Sequence, residues 1–174
     1  MNAGFGRAGR SYQEIKDVIH SLTLLDLEGR LRTLEKGEVE FGYRTSNLPA
    51  GIVVDATFQV VKSTTEAVRI EVKANFAYRN SVQDLRYPSA GSVFKNPGAS
   101  QGSSGQLIEK AGLKGKKIGG AMISDKHANF IVNVGGAKAS QVVELITCAQ
   151  EKVFEAFEIR LEPEIRIIKI SDKW

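Results

Sequence analysis

Aliphatic residues dominate positions 18 to 27, Glu28-Gly29 then interrupts them, and Leu31 and Leu34 follow, a pattern that predicts a β-hairpin. Positions 51 to 61 read as a further strand of the same sheet, with Ile52, Val54, Ala56, Phe58 and Val60 on one face and Val53, Asp55, Thr57 and Gln59 on the other. Residues 41 to 46 connect the two and place Arg44 near a sheet edge, where functional side chains are often presented. Ser63-Thr64-Thr65-Glu66 has the spacing of a capping box and predicts a helix to about residue 80, with Ala67, Val68, Ile70, Val72, Ala74 and Phe76 available for packing.

Beyond residue 88 the pattern changes. Residues 88 to 105 are rich in glycine, serine and proline, which predicts irregular backbone around a short strand at 92 to 94 and a surface loop over 98 to 103. Ser104 is the expected N-cap of a helix over 106 to 111, with Gly112 in the left-handed C-cap position. Strands are expected over 118 to 124 and 129 to 134, around Asp125-Lys126-His127. Ser140 caps a long helix in which Val142, Val143, Leu145, Ile146, Ala149, Val153, Phe154 and Phe157 form a broad apolar stripe. A last strand alternates Ile159, Leu161, Ile165 and Ile167 with Arg160, Glu162, Glu164 and Arg166.

Composition acts mainly by exclusion. With 42% hydrophobic and 25% charged residues over 174 positions, the chain reads as globular, with room for one sizeable core or two small ones. It has no apolar run of about 18 residues and no signal-peptide pattern, so no membrane span is expected and a cytoplasmic location is. Cys148 is the single cysteine, which rules out an internal disulfide or cysteine zinc cluster, and its apolar surroundings predict a core position. His20 and His127 are far apart with no carboxylate cluster beside them, so no metal site is expected. A net charge of +4 and a pI near 9.2 admit a nucleic-acid partner, but the basic residues are scattered and aromatics, at 7%, offer few stacking platforms. The densest basic cluster, Lys114-Gly115-Lys116-Lys117, follows a predicted helix, where the dipole favours cations.

Candidate chemistry concentrates in Tyr87-Pro88-Ser89-Ala90-Gly91-Ser92-Val93-Phe94-Lys95-Asn96-Pro97. Such a segment can hold a serine hydroxyl rigidly against a ligand. Ser89 and Gly91 permit close backbone approach, Phe94 can anchor the strand in a core, and Lys95 and Asn96 offer a cation and an amide to an anionic, hydroxyl-rich substrate. The same residues also describe a tight turn entering a strand that Pro97 stops. Arg44 is either a surface ion-pair partner or a planar ligand for a carboxylate. Glu162 and Glu164 are either exposed strand residues paired with Arg160 and Arg166 or, with Pro163 marking an irregular strand, part of a site. His127 is either a turn histidine with a solvated ring or a ligand for phosphate or sugar oxygens.

Taken with Gln106-Leu107-Ile108-Glu109-Lys110-Ala111-Gly112-Leu113-Lys114-Gly115, Ile118-Gly119-Gly120-Ala121 and His127-Ala128-Asn129-Phe130-Ile131-Val132-Asn133, this segment resembles the UDP-N-acetylenolpyruvoylglucosamine reductase (MurB) family. Phe41-Gly42-Tyr43-Arg44-Thr45-Ser46 and Leu161-Glu162-Pro163-Glu164-Ile165-Arg166 extend the resemblance over nearly the whole chain. It implies an α+β fold in three parts: residues 1–66 the remnant of an FAD-binding, PCMH/oxidase-like domain, residues 67–157 a substrate-binding domain with a mixed sheet and packed helices, and residues 158–174 a strand segment returning to the flavin domain. The activity implied is NADPH-dependent, FAD-mediated reduction of UDP-N-acetylglucosamine enolpyruvate to UDP-N-acetylmuramate for bacterial peptidoglycan, the wall that sets cell shape and division. By the same resemblance Ser92 matches the serine that protonates the carbanion, Arg44 the arginine that binds the lactyl carboxylate and enolate oxygen, and Glu164 the catalytic glutamate. Tyr43, Lys95, Asn96 and His127 fall where the family contacts substrate, and Asn2, Ala3, Gly4 and Arg166 where it contacts the flavin.

The front of the family pattern is not matched. The family cradles the flavin pyrophosphate with a glycine-serine-asparagine loop and a second glycine-rich turn, whereas Gly4, Gly6 and Gly9 form no GxGxxG before a helix. The chain is therefore expected to need an N-terminal FAD-binding half as partner and to be inactive alone. Asp84 stands where the family often has proline, Phe5 lies in the glycine-rich opening, and Lys169 replaces a common glycine, departures that touch loop geometry. Two other classes stay open, a sugar-nucleotide-binding module without turnover and a basic nucleic-acid-binding domain.

Overall fold

A computed structural model describes residues 4–5, 13–98 and 100–168. It divides into two compact units, Met1–Phe76 and Ala77–Trp174. In the first, β1 (Gly4–Phe5) pairs with β2 (Gln13–Glu14), and a single helical turn, α1 (Ile15–Val18), leads into the expected hairpin of β3 (Ile19–Asp26) and β4 (Leu31–Glu35). Asp26 closes that hairpin: its backbone N–H donates to the Arg30 carbonyl at 2.9 Å, and its carboxylate accepts from the N–H groups of Glu28 and Arg30 at 3.1 and 2.8 Å. β5 (Phe41–Gly42) and β6 (Thr45–Ser46) form a smaller hairpin, and β7 (Gly51–Phe58) joins β3 to give the sheet order β4-β3-β7. Ile19, Leu22, Leu24 and Val39 are buried together, with Leu34, Phe41, Leu48 and Ala56 packed against them.

β7 departs from strict alternation. Thr23 pairs with Asp55 but Leu24 pairs with Val53, so Val54 is an extra residue on the bulged strand. A bulge moves the residues before it to the opposite face, and Val53 rather than Val54 shares the core side with Ala56. Only Ala56 of this strand is even partly buried. α2 (Thr65–Val82) starts as expected, its Ala67 N–H donating to Thr64 Oγ1 at 3.2 Å, yet none of its residues is buried. The positions expected to pack, Val68, Ile70, Val72 and Phe76, are all exposed, and the half-buried side of the helix is instead Glu71, Ala74, Tyr78 and Val82.

In the second unit β8 (Ser89–Ser92), α3 (Ser104–Lys110), β9 (Lys117–Ile118), β10 (Ala121–Ile123), β11 (Phe130–Asn133) and α4 (Ala139–Phe157) follow, with sheet order β8-β11-β10-β9. The α+β class holds. Its pairings are antiparallel among the described residues rather than mixed, since β3–β4, β9–β10 and β10–β11 are joined by links too short for a parallel crossover. The core gathers Leu107 and Ile108 of α3, Leu145, Ile146, Ala149 and Val153 of α4, and Val93, Phe94, Ala121, Ile123, Ile131 and Leu161. Half-buried Cys148 packs against it, whereas Val143 and Phe154 lie outside the buried stripe, Phe154 with the Arg160 guanidinium 4.7 Å above its ring.

Local chemistry explains the remaining differences. The stretch 118 to 124 is two strands, because Gly119, at φ 56°, and Gly120 turn the chain back in a two-residue hairpin. Ser103, not Ser104, caps α3: its Oγ accepts from Gln106 N–H at 3.2 Å while Gln106 Oε1 accepts from Ser103 N–H at 3.0 Å. The other end is as expected, with Gly112 at φ 73°, its N–H bonded to Glu109 and the Leu113 N–H to Ile108, a Schellman closure. α4 begins at Ala139, so Ser140 lies inside it, and Gln141 Oε1 accepts from Lys138 N–H at 3.0 Å. The short strand expected at 92 to 94 lies at Ser89–Ser92, and residues 159 to 167 form no regular strand. Pro163 makes one isolated bridge, to Phe94, and lacks the N–H that a continuing ladder needs.

Candidate functional site

Ser92 ends β8, and the backbone on both sides of it is constrained. It pairs with Phe130 while Ser89 pairs with Val132, so Ala90 and Gly91 oppose a single residue and the strand bulges. Gly91 takes φ 81°, a conformation glycine adopts freely. A Cβ built on it would meet nothing within 4 Å, so the glycine is needed for its dihedral and the space above it is open. Bulges of this kind re-aim the neighbouring side chain.

Downstream, the Val93 N–H donates to the Asn129 carbonyl at 2.9 Å. The buried Asn129 side chain accepts from Phe94 N–H at 2.9 Å and donates to the Phe94 carbonyl at 2.8 Å. On the other side, Lys95 N–H donates to the Glu162 carbonyl at 2.9 Å and Glu164 N–H to the Val93 carbonyl at 2.7 Å. Residues 92 to 95 are thus gripped from two directions, and Ser92 and Glu164 belong to adjoining, hydrogen-bonded segments. Lys95 Nζ contacts Glu162 Oε1 at 2.5 Å. Asn96 Oδ1 accepts from Ser104 N–H at 3.0 Å, and the fully buried Ser104 donates its hydroxyl to the Lys95 carbonyl at 2.5 Å.

His127 approaches the same end of α3. A Cβ on Gly105 would lie 3.4 Å from its Cε1, and its ring centroid is 4.8 Å from that of Phe130. Nδ1 accepts from the Asn129 N–H at 3.3 Å, so the neutral ring carries its proton on Nε2. Burial keeps the imidazole pKa below its ordinary value. The turn that presents it is tied down by Ser124, whose Oγ accepts from Lys126 N–H at 3.1 Å and His127 N–H at 3.3 Å and donates to Asp84 Oδ2 at 2.9 Å. Asp84 is itself buried and receives Arg86 Nε and Nη2 at 2.9 and 3.0 Å. The Arg86 guanidinium holds the Asp84 carboxyl well below the usual carboxylate range, against the opposing effect of burial.

Ser92, Lys95, Asn96, His127 and Glu164 therefore share one unit and one chain of contacts. Tyr43 and Arg44 belong to the other unit, at the tip of the β5–β6 hairpin. Arg44 adopts φ 57°, a left-handed conformation that costs a non-glycine residue about 1–2 kcal/mol, and its guanidinium lies 5.9 Å from the exposed Tyr43 ring. Gly4 contributes the backbone of a two-residue strand, Arg166 is exposed, and Asn2 and Ala3 lie outside the described residues. The sequence assigns no site role to Asn129 or Ser124 and gives Ser104 only the role of an N-cap. Each is a small polar residue in an apolar neighbourhood, a pattern that signals a buried hydrogen-bonding role only once the neighbours are known.

Among the described residues, side chains of the chain itself take one N–H at the start of α2 (Thr64 from Ala67) and one at the start of α3 (Ser103 from Gln106), and the Gln141 side chain takes the N–H of Lys138 just before α4. Among these residues no group of His, Cys, Asp and Glu could hold a metal ion, and no helix is long and apolar enough to cross a membrane. A groove of about 520 Å³ lies between α4 and residues 160 to 163; Glu162 lines it, but Ser92, Lys95, Asn96, His127 and Glu164 do not.

The model of the family described as UDP-N-acetylenolpyruvoylglucosamine reductase, C-terminal domain, matches residues 83–168. The chain is 44% identical over 168 residues to the UDP-N-acetylenolpyruvoylglucosamine reductase of Latilactobacillus sakei, covering 95% of this chain and 55% of the relative. It is 41% identical over 163 residues to that of Listeria monocytogenes, covering 92% and 54%. A crystal structure of UDP-N-acetylenolpyruvylglucosamine reductase (MurB) from Thermus caldophilus matches with a TM-score of 0.74 at 35% identity, over 88% of this chain and 54% of that one. The chain spans about half the length of the curated relatives it matches.

Proposed function

The chain belongs to the UDP-N-acetylenolpyruvoylglucosamine reductase (MurB) family, as its C-terminal portion, and from that premise we propose that it binds substrate and donates the proton in reduction of UDP-N-acetylglucosamine enolpyruvate to UDP-N-acetylmuramate for peptidoglycan. The observation that carries this reading is the rigid 92–95 segment, held by Asn129 on one side and by the Glu162–Glu164 backbone on the other. Reduction of an enolpyruvyl double bond leaves an enolate-like carbanion, which needs a proton and nearby charge stabilisation. A serine hydroxyl is a poor acid in water but serves when desolvated and fixed, and the Gly91 bulge with the Asn129 clamp fixes Ser92. Glu164 and Arg44 stabilise the enolate in this reading, Arg44 from a strained backbone of the kind that functional positions retain.

His127, with its proton on Nε2, donates to diphosphate or sugar oxygens, joined by Asn96, Tyr43 and Lys95. Lys95 is available because its pair with exposed Glu162 is worth at most about 1 kcal/mol, so a substrate phosphate competes with it. FAD, reduced by NADPH, is the hydride source the reaction requires, and it belongs to the portion of the relatives that this chain does not span, with Asn2, Ala3, Gly4 and Arg166 at its border. Calorimetric titration of the isolated chain with the enolpyruvyl sugar nucleotide tests the reading. Saturable binding in the millimolar range is expected, weakened by Asn96→Ala and His127→Ala; absence of saturation in a chain shown to be folded by circular dichroism would sink it.

A further inference from the structure

We propose that Asp84 and Arg86 are positioning residues for His127, acting through the Ser124 hydroxyl to hold the imidazole as a donor toward the sugar nucleotide. The inference rests on the substrate-binding reading of His127 given above and names two residues that this reading does not use. Asp84, which the sequence marks only as a change of loop geometry, is buried with 1% of its surface exposed. Its Oδ1 accepts from Arg86 Nε at 2.9 Å and from the Arg86 N–H at 3.3 Å, while Oδ2 accepts from Arg86 Nη2 at 3.0 Å and from Ser124 Oγ at 2.9 Å. Of these donors only Ser124 lies outside the 84–86 segment, 40 positions along the chain.

This arrangement has one direction. A carboxylate that Arg86 keeps ionised can only accept, so Ser124 gives its single proton to Asp84. The two lone pairs of its oxygen are then left for the N–H groups of Lys126 and His127, at 3.1 and 3.3 Å. An amide at position 84 would break that order, because Arg86 would draw the amide carbonyl to itself and turn the NH2 group toward Ser124. The serine oxygen would then accept from the amide and release an N–H of the turn. Burying a carboxylate is unfavourable unless it is fully paired, and an apolar residue could fill position 84 without that penalty. What the charge adds is a fixed hydroxyl direction beneath His127.

The ring itself is set from the same turn. The His127 carbonyl accepts from Phe130 N–H at 2.9 Å, Nδ1 accepts from Asn129 N–H at 3.3 Å, and the ring centroid lies 4.8 Å from that of Phe130. Nε2 is the remaining ring atom able to donate. Lys126 Nζ also bonds the Asn80 carbonyl near the end of α2, so the turn is tied to the segment just before Asp84 as well. The hydrogen bonds of Asp84 and of the Arg86 guanidinium go to each other and to Ser124, not to the imidazole, so the pair acts by position.

The test combines nuclear magnetic resonance without ligand and calorimetry with the enolpyruvyl sugar nucleotide, on the parent, Asp84→Asn and Ser124→Ala near neutral pH. In the parent the His127 ring is expected to carry its proton on Nε2. In both variants the ring nitrogens should report a mixture of tautomers, and the Lys126 and His127 amides should exchange at least about tenfold faster. The dissociation constant should rise roughly tenfold, the loss of about one well-placed hydrogen bond. That rise should vanish in a His127→Ala background, whereas a merely structural role would weaken binding equally with or without the imidazole. If either variant does not fold, Arg86→Gln and Arg86→Lys, at a side chain 63% exposed, replace it: glutamine should reproduce the changes and lysine should restore the parent tautomer. An unchanged tautomer and unchanged amide protection in folded variants, or binding losses that simply add to that of His127→Ala, would overturn the proposal. If the parent binds no sugar nucleotide, the substrate-binding reading fails by itself, while the tautomer and the two amides still decide whether Asp84 and Arg86 position His127.

Discussion

The side-chain amide of Asn129 pairs with both backbone groups of Phe94, accepting from its N–H at 2.9 Å and donating to its carbonyl at 2.8 Å. A side chain here takes the place of a strand neighbour, while the Asn129 carbonyl serves Val93. Asn129→Ala leaves two backbone groups of a buried residue without partners, at about 1–3 kcal/mol each. Urea unfolding is expected to show a loss of about 2–6 kcal/mol. A loss within about 0.5 kcal/mol, as for an ordinary surface change, would mean that the amide is not the clamp.

Two glycines with different tasks give opposite results on substitution. Gly91→Ala adds a Cβ that meets nothing within 4 Å, so it should cost only the left-handed penalty of about 1–2 kcal/mol and leave the fold intact while disturbing Ser92. Gly120→Ala places its Cβ 2.1 Å from the Gly135 carbonyl oxygen and 2.6 Å from the Ala137 nitrogen, backbone atoms that cannot swing aside. Its thermal midpoint should fall much further than that of Gly91→Ala. Equal midpoints would contradict the packing of the β9–β10 hairpin against residues 135 to 137.

Acidification should remove stability in two separate windows. The folded-state pKa of His127 lies below its ordinary 6.5, so the unfolded chain takes up that proton first and stability declines as pH falls below 6.5, levelling once the folded ring is protonated. Asp84 has its carboxyl held below the ordinary 3.8; its contribution is complete above that value and is lost as pH falls beneath it. In urea midpoints measured across the acid range, His127→Asn should erase the first decline and Asp84→Asn should flatten the second. Arg86→Ala, which strips a buried carboxylate of its main partner, should destabilise already at neutral pH. Unchanged acid limbs in these variants would show that other groups set them.

Much of the fold was legible where one local rule decides the outcome. Alternation around Glu28-Gly29 predicted the β3–β4 hairpin, Gly112 the closure of α3, and the Leu145, Ile146, Ala149 and Val153 spacing the buried side of α4. Where two rules compete, the shorter-range one decides. Gly119-Gly120 is a hairpin dipeptide inside an apolar run, and Pro163 stops a ladder inside an alternating one. The apolar content of β7 and α2 predicts packing faces, which burial within this chain does not match. In the candidate site, Ser92 and Glu164 could be named from the motif, but Asn129 could not, because an asparagine beside a strand reads as a polar boundary until its partner 35 positions away is known.

Ser92→Ala is the most direct examination of the chemistry, in a full-length protein that carries these residues. It removes one hydroxyl and little binding surface, so flavin reduction by NADPH should proceed as in the parent. Reoxidation of the reduced flavin by the enolpyruvyl sugar nucleotide should slow by at least about 100-fold, the lower range for a positioned acid. Glu164→Gln and Arg44→Ala should slow the same half-reaction by weakening enolate stabilisation, without the same effect on the NADPH step. A merely structural role for Ser92 would instead move both half-reactions, or the unfolding midpoint. In D2O the parent should deliver deuterium to the lactyl C2 position. If rapid mixing shows the Ser92→Ala protein reoxidising at the parent rate, the proton comes from another group and Ser92 is a residue of the bulge alone.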